Sequence, residues 1–404
     1  MQLYLLALNP TESVTHGFLP AARGRELDVT LLTDRPQEHT GEAVSGAGDG
    51  RLEVLGCDVR DAASVIARIA AHRPPDAVFT NSDHLQTQAA LAAEYFGLPG
   101  KDWRAALRAK DKAEMRRHLA AAGADTVWAG EIAAEDELPS GLAALGEVPF
   151  PCVVKPREGV ASEDVVLAAD DAGLARLCAE IRQRRPGAAL LVEEYLPGEL
   201  HTLETLGDGS RLHELGGFRT LVSPPPYFIE HRMTYVRRHP EPVREAVLAQ
   251  LGALGVGLGA CHTEFVVQDS RARIIEVNYR AVGDQGDLLL ADLLDIPLFA
   301  YVLDAHLGTP LPSPLPVRTG GAARVDYPCA DRGGTLTAAP GASDVYEGEV
   351  RRVYRPLRAV GERHDLHHTN RDYLGALRTT GPDQQSVDRV ADGFLAAQRW
   401  EILP

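Results

Sequence analysis

The sequence predicts a chain of the α/β and α+β classes, with a parallel α/β layer first and a smaller β-rich region last. Three observations carry this. Strand-like and helix-like runs alternate through the first hundred residues, the pattern of a parallel sheet. Two β-rich runs, 261–268 and 273–280, flank a short turn and read as a hairpin. A connector with four prolines at 309–317 precedes β-rich sequence punctuated by Gly and Pro.

The elements follow in order. Residues 3–8 read as a buried strand ending at Asn9-Pro10, followed by a helix around 15–25 and a strand at 28–33. The alternation continues with strands at 52–55 and 77–80 around a helix at 62–71. Asn81-Ser82-Asp83 lies at a strand's carboxyl end, where ligands gather in such sheets. As a helix N-cap for 84–96 it has the simpler explanation. Lys110-Asp-Lys112 opens a helix at 113–122, and a first domain spans about 1–110. Strands are expected at 126–129, 150–155, 165–168, 189–195, 200–206 and 211–219, with helices at 172–185 and 242–254. Helices at 284–294 and 298–307 precede the connector, and a last helix spans 386–398. A second domain is thus expected at 111–310, with a small lobe to about 195 and a second lobe from 196. The C-terminal region covers 318–404.

Composition limits function. The chain has 404 residues, 45% hydrophobic and 24% charged, which is globular in character. A net charge of −16 argues against a nucleic-acid or anionic-membrane surface. No apolar run approaches the length of a membrane span. The five cysteines are scattered, with no Cys-x-x-Cys pair, so buried thiols in a reducing cytoplasm are expected. The N-terminus lacks a basic n-region and reads as a first strand.

The hairpin carries the strongest chemical signal. Side chains on a strand alternate, so Glu276 and Asn278 share a face. With Gln268 opposite Ala272, Glu264 faces Glu276. Like charges opposite each other destabilise a sheet unless a cation lies between them. Two carboxylates and an amide suit Mg²⁺. Arg280, two residues on, can share that face and hold a phosphate bidentately. A solvated hairpin face is the competing reading. Elsewhere, Lys155 ends an apolar strand beside a turn containing Gly159 and Ser162, and can reach a phosphate with help from backbone amides. The run Glu193-Glu194-Tyr195-Leu196-Pro197-Gly198-Glu199 could join two lobes, with backbone groups of Glu194 and Leu196 holding a base and Glu199 accepting from ribose. Arg219, His231 and Arg232 flank a Pro-rich loop and could bind a substrate carboxylate; a solvated loop is the simpler explanation for each.

Taken in order, Lys112, Lys155 with its Gly/Ser turn, Glu-Glu-Tyr-Leu-Pro-Gly-Glu at 193–199, His-Thr-Glu-Phe at 262–265 and Glu-Val-Asn-Tyr-Arg at 276–280 resemble the ATP-grasp superfamily. The likeness is to its biotin-carboxylase-like, carboxylate–amine ligase branch. It covers nearly the whole chain and implies a Rossmann-like pre-ATP-grasp domain, the grasp domain and a small β-rich tail. It implies that Lys112 and Lys155 bind ATP phosphates, that Glu193, Glu194 and Leu196 hold the adenine, and that Glu199 takes the ribose. Glu264, Glu276 and Asn278 would bind Mg²⁺ or Mn²⁺, and Arg280 would steady the transferred phosphate. The chain departs from the pattern at Glu163-Asp164, where relatives often carry Gly. Glu199 directly follows Gly198, which makes His201 a rival ribose contact. The implied activity joins a small-molecule carboxylate to an amine through an acyl phosphate, in siderophore or peptide-like natural-product biosynthesis, with a homodimer as the expected assembly. A biotin- or purine-type carboxylase and a non-catalytic nucleotide-binding module are the alternatives.

Overall fold

The N-terminal alternation folds as four parallel strands in the order Leu52–Gly56, Asp28–Thr33, Gln2–Leu6, Ala77–Phe79. The structure, a computed structural model, describes residues 1–39, 52–159, 162–268 and 270–404. Gln2–Leu6 and Ala77–Phe79 are buried on both faces, which is why they read as apolar runs rather than as an alternation. The strands Gln2–Leu6 and Ala77–Phe79 lead into Asn9 and Asn81, which line one cavity.

Asn81, Ser82 and Asp83 do not act as side-chain caps for the helix Gln86–Tyr95 or the turn Asp83–Leu85 before it. Asn81 Oδ1 instead accepts the Ala281 N–H at 3.1 Å, and Asp83 accepts from Arg280. The helix Trp103–Lys110 has no counterpart among the expected elements; six of its eight residues are Ala, Arg or Lys, so its apolar signal is faint.

A second sheet, antiparallel, has the order Ala129–Ile132, Leu190–Glu194, Cys152–Pro156, Val166–Ala168. The helices Leu138–Ala144 and Asp171–Arg184 pack against it through Ile132, Val154, Leu174, Ile181 and Leu142. The strand expected at 126–129 begins only at Ala129.

The third sheet carries the hairpin. Ten antiparallel strands run in the order Arg271–Asn278, Leu258–Gln268, Leu200–Asp208, Gly217–Val222, Glu230–Val236, Ala322–Asp326, Gly375–Gly381, Val350–Pro356, Ser343–Glu347, and Leu212–Glu214 adds to Leu200–Asp208. The C-terminal region is therefore continuous with the hairpin's sheet, through Arg232↔Asp326 and its neighbours. Only Gly334–Ala338, Arg363–His364 and Glu401–Leu403 form a separate small sheet among the described residues.

One face of the hairpin end packs against the helix Glu241–Leu254. Leu203, Phe265, Ile274 and Val277 meet Val247, Leu251 and Leu254 there. The helix stops at Gly255, whose φ of +89° suits a residue without a Cβ. The Tyr279 hydroxyl accepts the Gly257 and Leu258 N–H groups and closes this corner. The opposite face is left for chemistry. All five cysteines are free. Among the described residues, no helix is long and apolar enough to cross a membrane.

Leu251 is wholly buried in this contact. Replacing it by Ala removes buried methyl groups and leaves a cavity, at a cost of about 2–5 kcal/mol. A lowered urea midpoint measures it; an unchanged midpoint would show that the helix does not support the hairpin.

Candidate active site

The hairpin register decides which side chains meet. Beside the turn Gln268 pairs with Arg271, not Ala272, and Val267 pairs with Ala272. Asp269 lies outside the described residues. Further along, Phe265 pairs with Ile274 and Glu264 with Glu276, so Ile275 is an extra residue in a β-bulge. The bulge turns Ile275 and Glu276 to the same side. Glu264, Glu276 and Asn278 thus share one face, although the pairing at the turn is one residue off the expected register.

These residues are tied down. Lys112 Nζ lies 2.7 Å from Glu276 Oε1 and 3.3 Å from the Gly159 carbonyl. Asn278 Nδ2 donates to Glu264 Oε1 at 3.3 Å. Burial would raise the Glu276 carboxyl, but Lys112 prevails and holds it below its ordinary value. The same pairing raises Lys112 against the opposing effect of burial. Asp111, which caps the helix Lys112–Ala121, fixes the lysine's approach.

One turn along that helix, Arg116 donates to Glu193 at 2.6 Å, and Lys155 Nζ is 2.5 Å from the other Glu193 oxygen. All three are buried. Burial alone would raise Glu193; Arg116 and Lys155 reverse this and bring it to about 2. Glu193 therefore positions Lys155 and is walled off from direct hydrogen bonding by two cations. Glu194 spends its carboxylate on the Trp128 N–H and on Arg273, both at 3.1 Å. Its amide donates to the Trp128 carbonyl. The main-chain N–H and C=O of Leu196 have no hydrogen-bond partner among the described residues.

These groups line a cleft between the second and third sheets. Its cationic end holds Lys112, Lys155 and Ser162, and its apolar walls include Val153, Leu196, Leu200 and Phe228. Ser162 has φ +56°, while Val160 and Ala161 before it lie outside the described residues. Glu163 and Asp164 are drawn into ion pairs with Arg184, Arg185 and Arg371, which accounts for acids where Gly was the family's pattern.

A second cavity adjoins the cleft and shares Ser162, Glu230, Glu264 and Glu276 with it. It is lined by Asn278, Arg280, His262 and Asp284, by Asn9 and Asp83 of the N-terminal layer, and by Tyr327 and Asn370 of the C-terminal region. Arg280 Nε donates to Asp83 at 2.7 Å, which holds the guanidinium against the N-terminal layer; burial would lower its pKa, but Asp83 prevails and raises it. His262 lies 2.7 Å from Glu204; burial opposes its charge, but Glu204 raises it to about 10.

Five expected contacts lie elsewhere. Leu200 lines the cleft, so His201 must face the other side, where it stacks on Phe265 and lies against His239. Glu199 is exposed and opens, with Arg219 and Arg232, into a separate surface cavity. Arg232 pairs there with Asp326 at 2.7 Å. His231 sits against Cys329 Sγ at 3.6 Å. The cause is a second bulge: Leu221 pairs with Arg232 but Val222 pairs with Glu230, which leaves His231 extra. The bulge directs Glu230 into the cleft while Arg232 faces away. Glu230, with burial and Glu264 both pushing its pKa up, is the residue that sequence reasoning missed. The β-rich run 230–236 was its available signal.

A nucleotide-sized cleft between two antiparallel lobes, with lysines at one end and paired carboxylates on a hairpin, defines the class. The chain belongs to the ATP-grasp family: the ATP-grasp domain matches residues 82–284, half of its length. Among solved structures it is similar to an L-amino acid ligase from Bacillus licheniformis, at 20% identity and TM-score 0.78, covering 100% of this chain and 99% of that one. It is similar to phosphoribosylglycinamide synthetase from Anaerococcus prevotii, at 13% identity and TM-score 0.70, with 100% and 99% covered. The biotin carboxylase domain of the Hydrogenobacter thermophilus 2-oxoglutarate carboxylase matches at 14% and 0.71, with 100% and 91% covered. At these identities the likeness establishes the fold. No curated protein sequence matches the chain.

Glu193→Gln strands two buried cations and should cost about 3–5 kcal/mol. The depressed Glu193 pKa also sets a pH window. Its stabilisation is present above the ordinary value of 4.5 and is lost as pH falls toward about 2. Urea midpoints across that range should fall less steeply in the variant; parallel pH profiles would remove Glu193 from this role.

Proposed function

We propose that the chain is an ATP-dependent carboxylate–amine ligase that forms an amide, peptide-like bond through an acyl phosphate, releasing ADP and phosphate. Siderophore or peptide-like natural-product biosynthesis is the setting this chemistry fits. The observation that carries the reading is the junction of two cavities at Glu264 and Glu276. A nucleotide in the cleft and an acid in the second cavity would meet there.

The parts divide the work. The apolar walls and the open Leu196 main chain suit an adenine. Lys112 and Lys155 place positive charge where the phosphates end. Two facing carboxylates and the Asn278 amide fit a hard divalent cation such as Mg²⁺. Among the described residues no three His, Cys, Asp or Glu side chains form a metal cluster by themselves, so the amide oxygen completes the set. Bound there, the cation would offset charge on the phosphate oxygens. The Hydrogenobacter domain is described in complex with magnesium ADP and bicarbonate, which supports the same pairing here.

The substrate carboxylate oxygen attacks the γ-phosphorus and the bond to ADP breaks. Arg280, held by Asp83, faces the phosphoryl oxygens as charge gathers on them. The amine nitrogen then attacks the acyl carbon, inorganic phosphate departs, and the nitrogen loses a proton. No protein nucleophile is required, so positioning and electrostatics supply the catalysis.

Phosphate release should require a carboxylic acid and an amine together. Glu276→Gln should lower turnover more than ~100-fold, as loss of a preorganised charge at a reacting centre does, with the circular dichroism of the folded chain retained. Release that depends on bicarbonate instead would favour the carboxylase reading. ATP binding with no ADP formed across a broad panel would favour a nucleotide-binding module.

A further inference from the structure

The second cavity contains charge that the phosphoryl chemistry does not use. Asp284 has φ +50° and follows Gly283, where an added Cβ would come within 3.4 Å of the Arg280 guanidinium. The Asp284 carboxylate is therefore a neighbour of the reacting centre. It is open to the cavity and has no hydrogen bond or ion pair among the described residues. Glu230 has only the Asn370 amide, at 3.4 Å. The two cations of this cavity are already engaged, Arg280 by Asp83 and His262 by Glu204.

Gln285 gives an independent indication. It lines the same cavity, is 4% exposed and has φ +70°. Neither Nε2 nor Oε1 has a hydrogen-bond partner among the described residues. Leaving a buried amide unsatisfied is costly, and a ligand in the cavity would relieve it.

Building on the ligase reading, we infer that Asp284, Glu230 and the Gln285 carbonyl receive the ammonium group of the acyl donor, so that the carboxylic acid activated here is itself an amino acid. The assignment to donor and not acceptor follows from protonation. An ammonium surrounded by carboxylates keeps its proton. It has no lone pair and cannot attack an acyl phosphate. The amine that does attack must arrive from elsewhere in the cavity, away from this acidic end. With its ammonium fixed beside Asp284, the donor presents its carboxylate toward Arg280 and the γ-phosphate.

The test uses the full-length protein with saturating magnesium ATP and hydroxylamine, which traps an acyl phosphate as a hydroxamate and needs no amine substrate. The acids are the proteinogenic amino acids and β-alanine, each against its des-amino and hydroxy counterparts. Hydroxamate should form from one or more amino acids, with kcat/KM at least ~30-fold above the counterpart, the scale of one charge-assisted hydrogen-bonded contact. Asp284→Asn should raise KM for that amino acid by about 10–100-fold on the same basis, with the ATP dissociation constant unchanged by calorimetry. Equal use of des-amino or hydroxy acids, or an unmoved KM in the variant, overturns the ammonium assignment and leaves the ligase standing. No hydroxamate from any acid, with ATP bound, overturns the ligase reading and this assignment with it.

Discussion

Two carboxylates facing each other across a strand pair are the constraint on which the site depends. Isolated in a sheet, Glu264 and Glu276 would repel. They stay because Lys112 approaches from a helix outside the hairpin, because Asn278 and His262 contact Glu264 from within it, and because the hairpin has one residue too many. Without the bulge at Ile275, the pairing set at the turn would put Ile275 across from Glu264. Glu276 would then point into the apolar contact with the helix Glu241–Leu254. One inserted residue keeps Ile274 and Val277 in that core and both carboxylates out of it.

From there the charges propagate outward in pairs. Lys155 is held by Glu193, and Glu193 by Arg116, so a lysine that would be costly to bury is fixed at the cleft's end. Arg280 is anchored by Asp83 from the turn that follows the N-terminal sheet. The nucleotide end is thus preorganised before any ligand arrives, which is what lowers the reorganisation needed during phosphoryl transfer.

Sequence periodicity made most of the strands and helices legible, and the like charges at 264 and 276 pointed to the site because their proximity needs an explanation. What it concealed has a common physical origin. Alternation tells which side chains share a face only while the ladder is regular. At His231 it is not, so Glu230 enters the cleft and Arg232 leaves it. His201 failed for the opposite reason: the ladder there is regular, and Leu200 already occupied the cleft's side. The joining of Ala322–Asp326 to Glu230–Val236 spans about ninety residues and has no local signature. Asn81 and Asp83 resembled a helix start because their true partners, Ala281 and Arg280, are two hundred residues away.

The two cavities differ in what their charges leave undone. In the nucleotide cleft Glu193 and Glu276 are met by Arg116, Lys155 and Lys112, so an incoming polyphosphate finds the positive groups already in place. In the second cavity the cations are spent on Asp83 and Glu204, while Asp284 and Glu230 remain without one. A carboxylic acid without a positive group of its own would enter that field against repulsion from both. A zwitterion enters with its two ends oriented, carboxylate toward Arg280 and ammonium toward Asp284. The same field that selects it also prevents its own nitrogen from acting as nucleophile, so selection of the donor and exclusion of its self-attack at that end arise from one arrangement of charge.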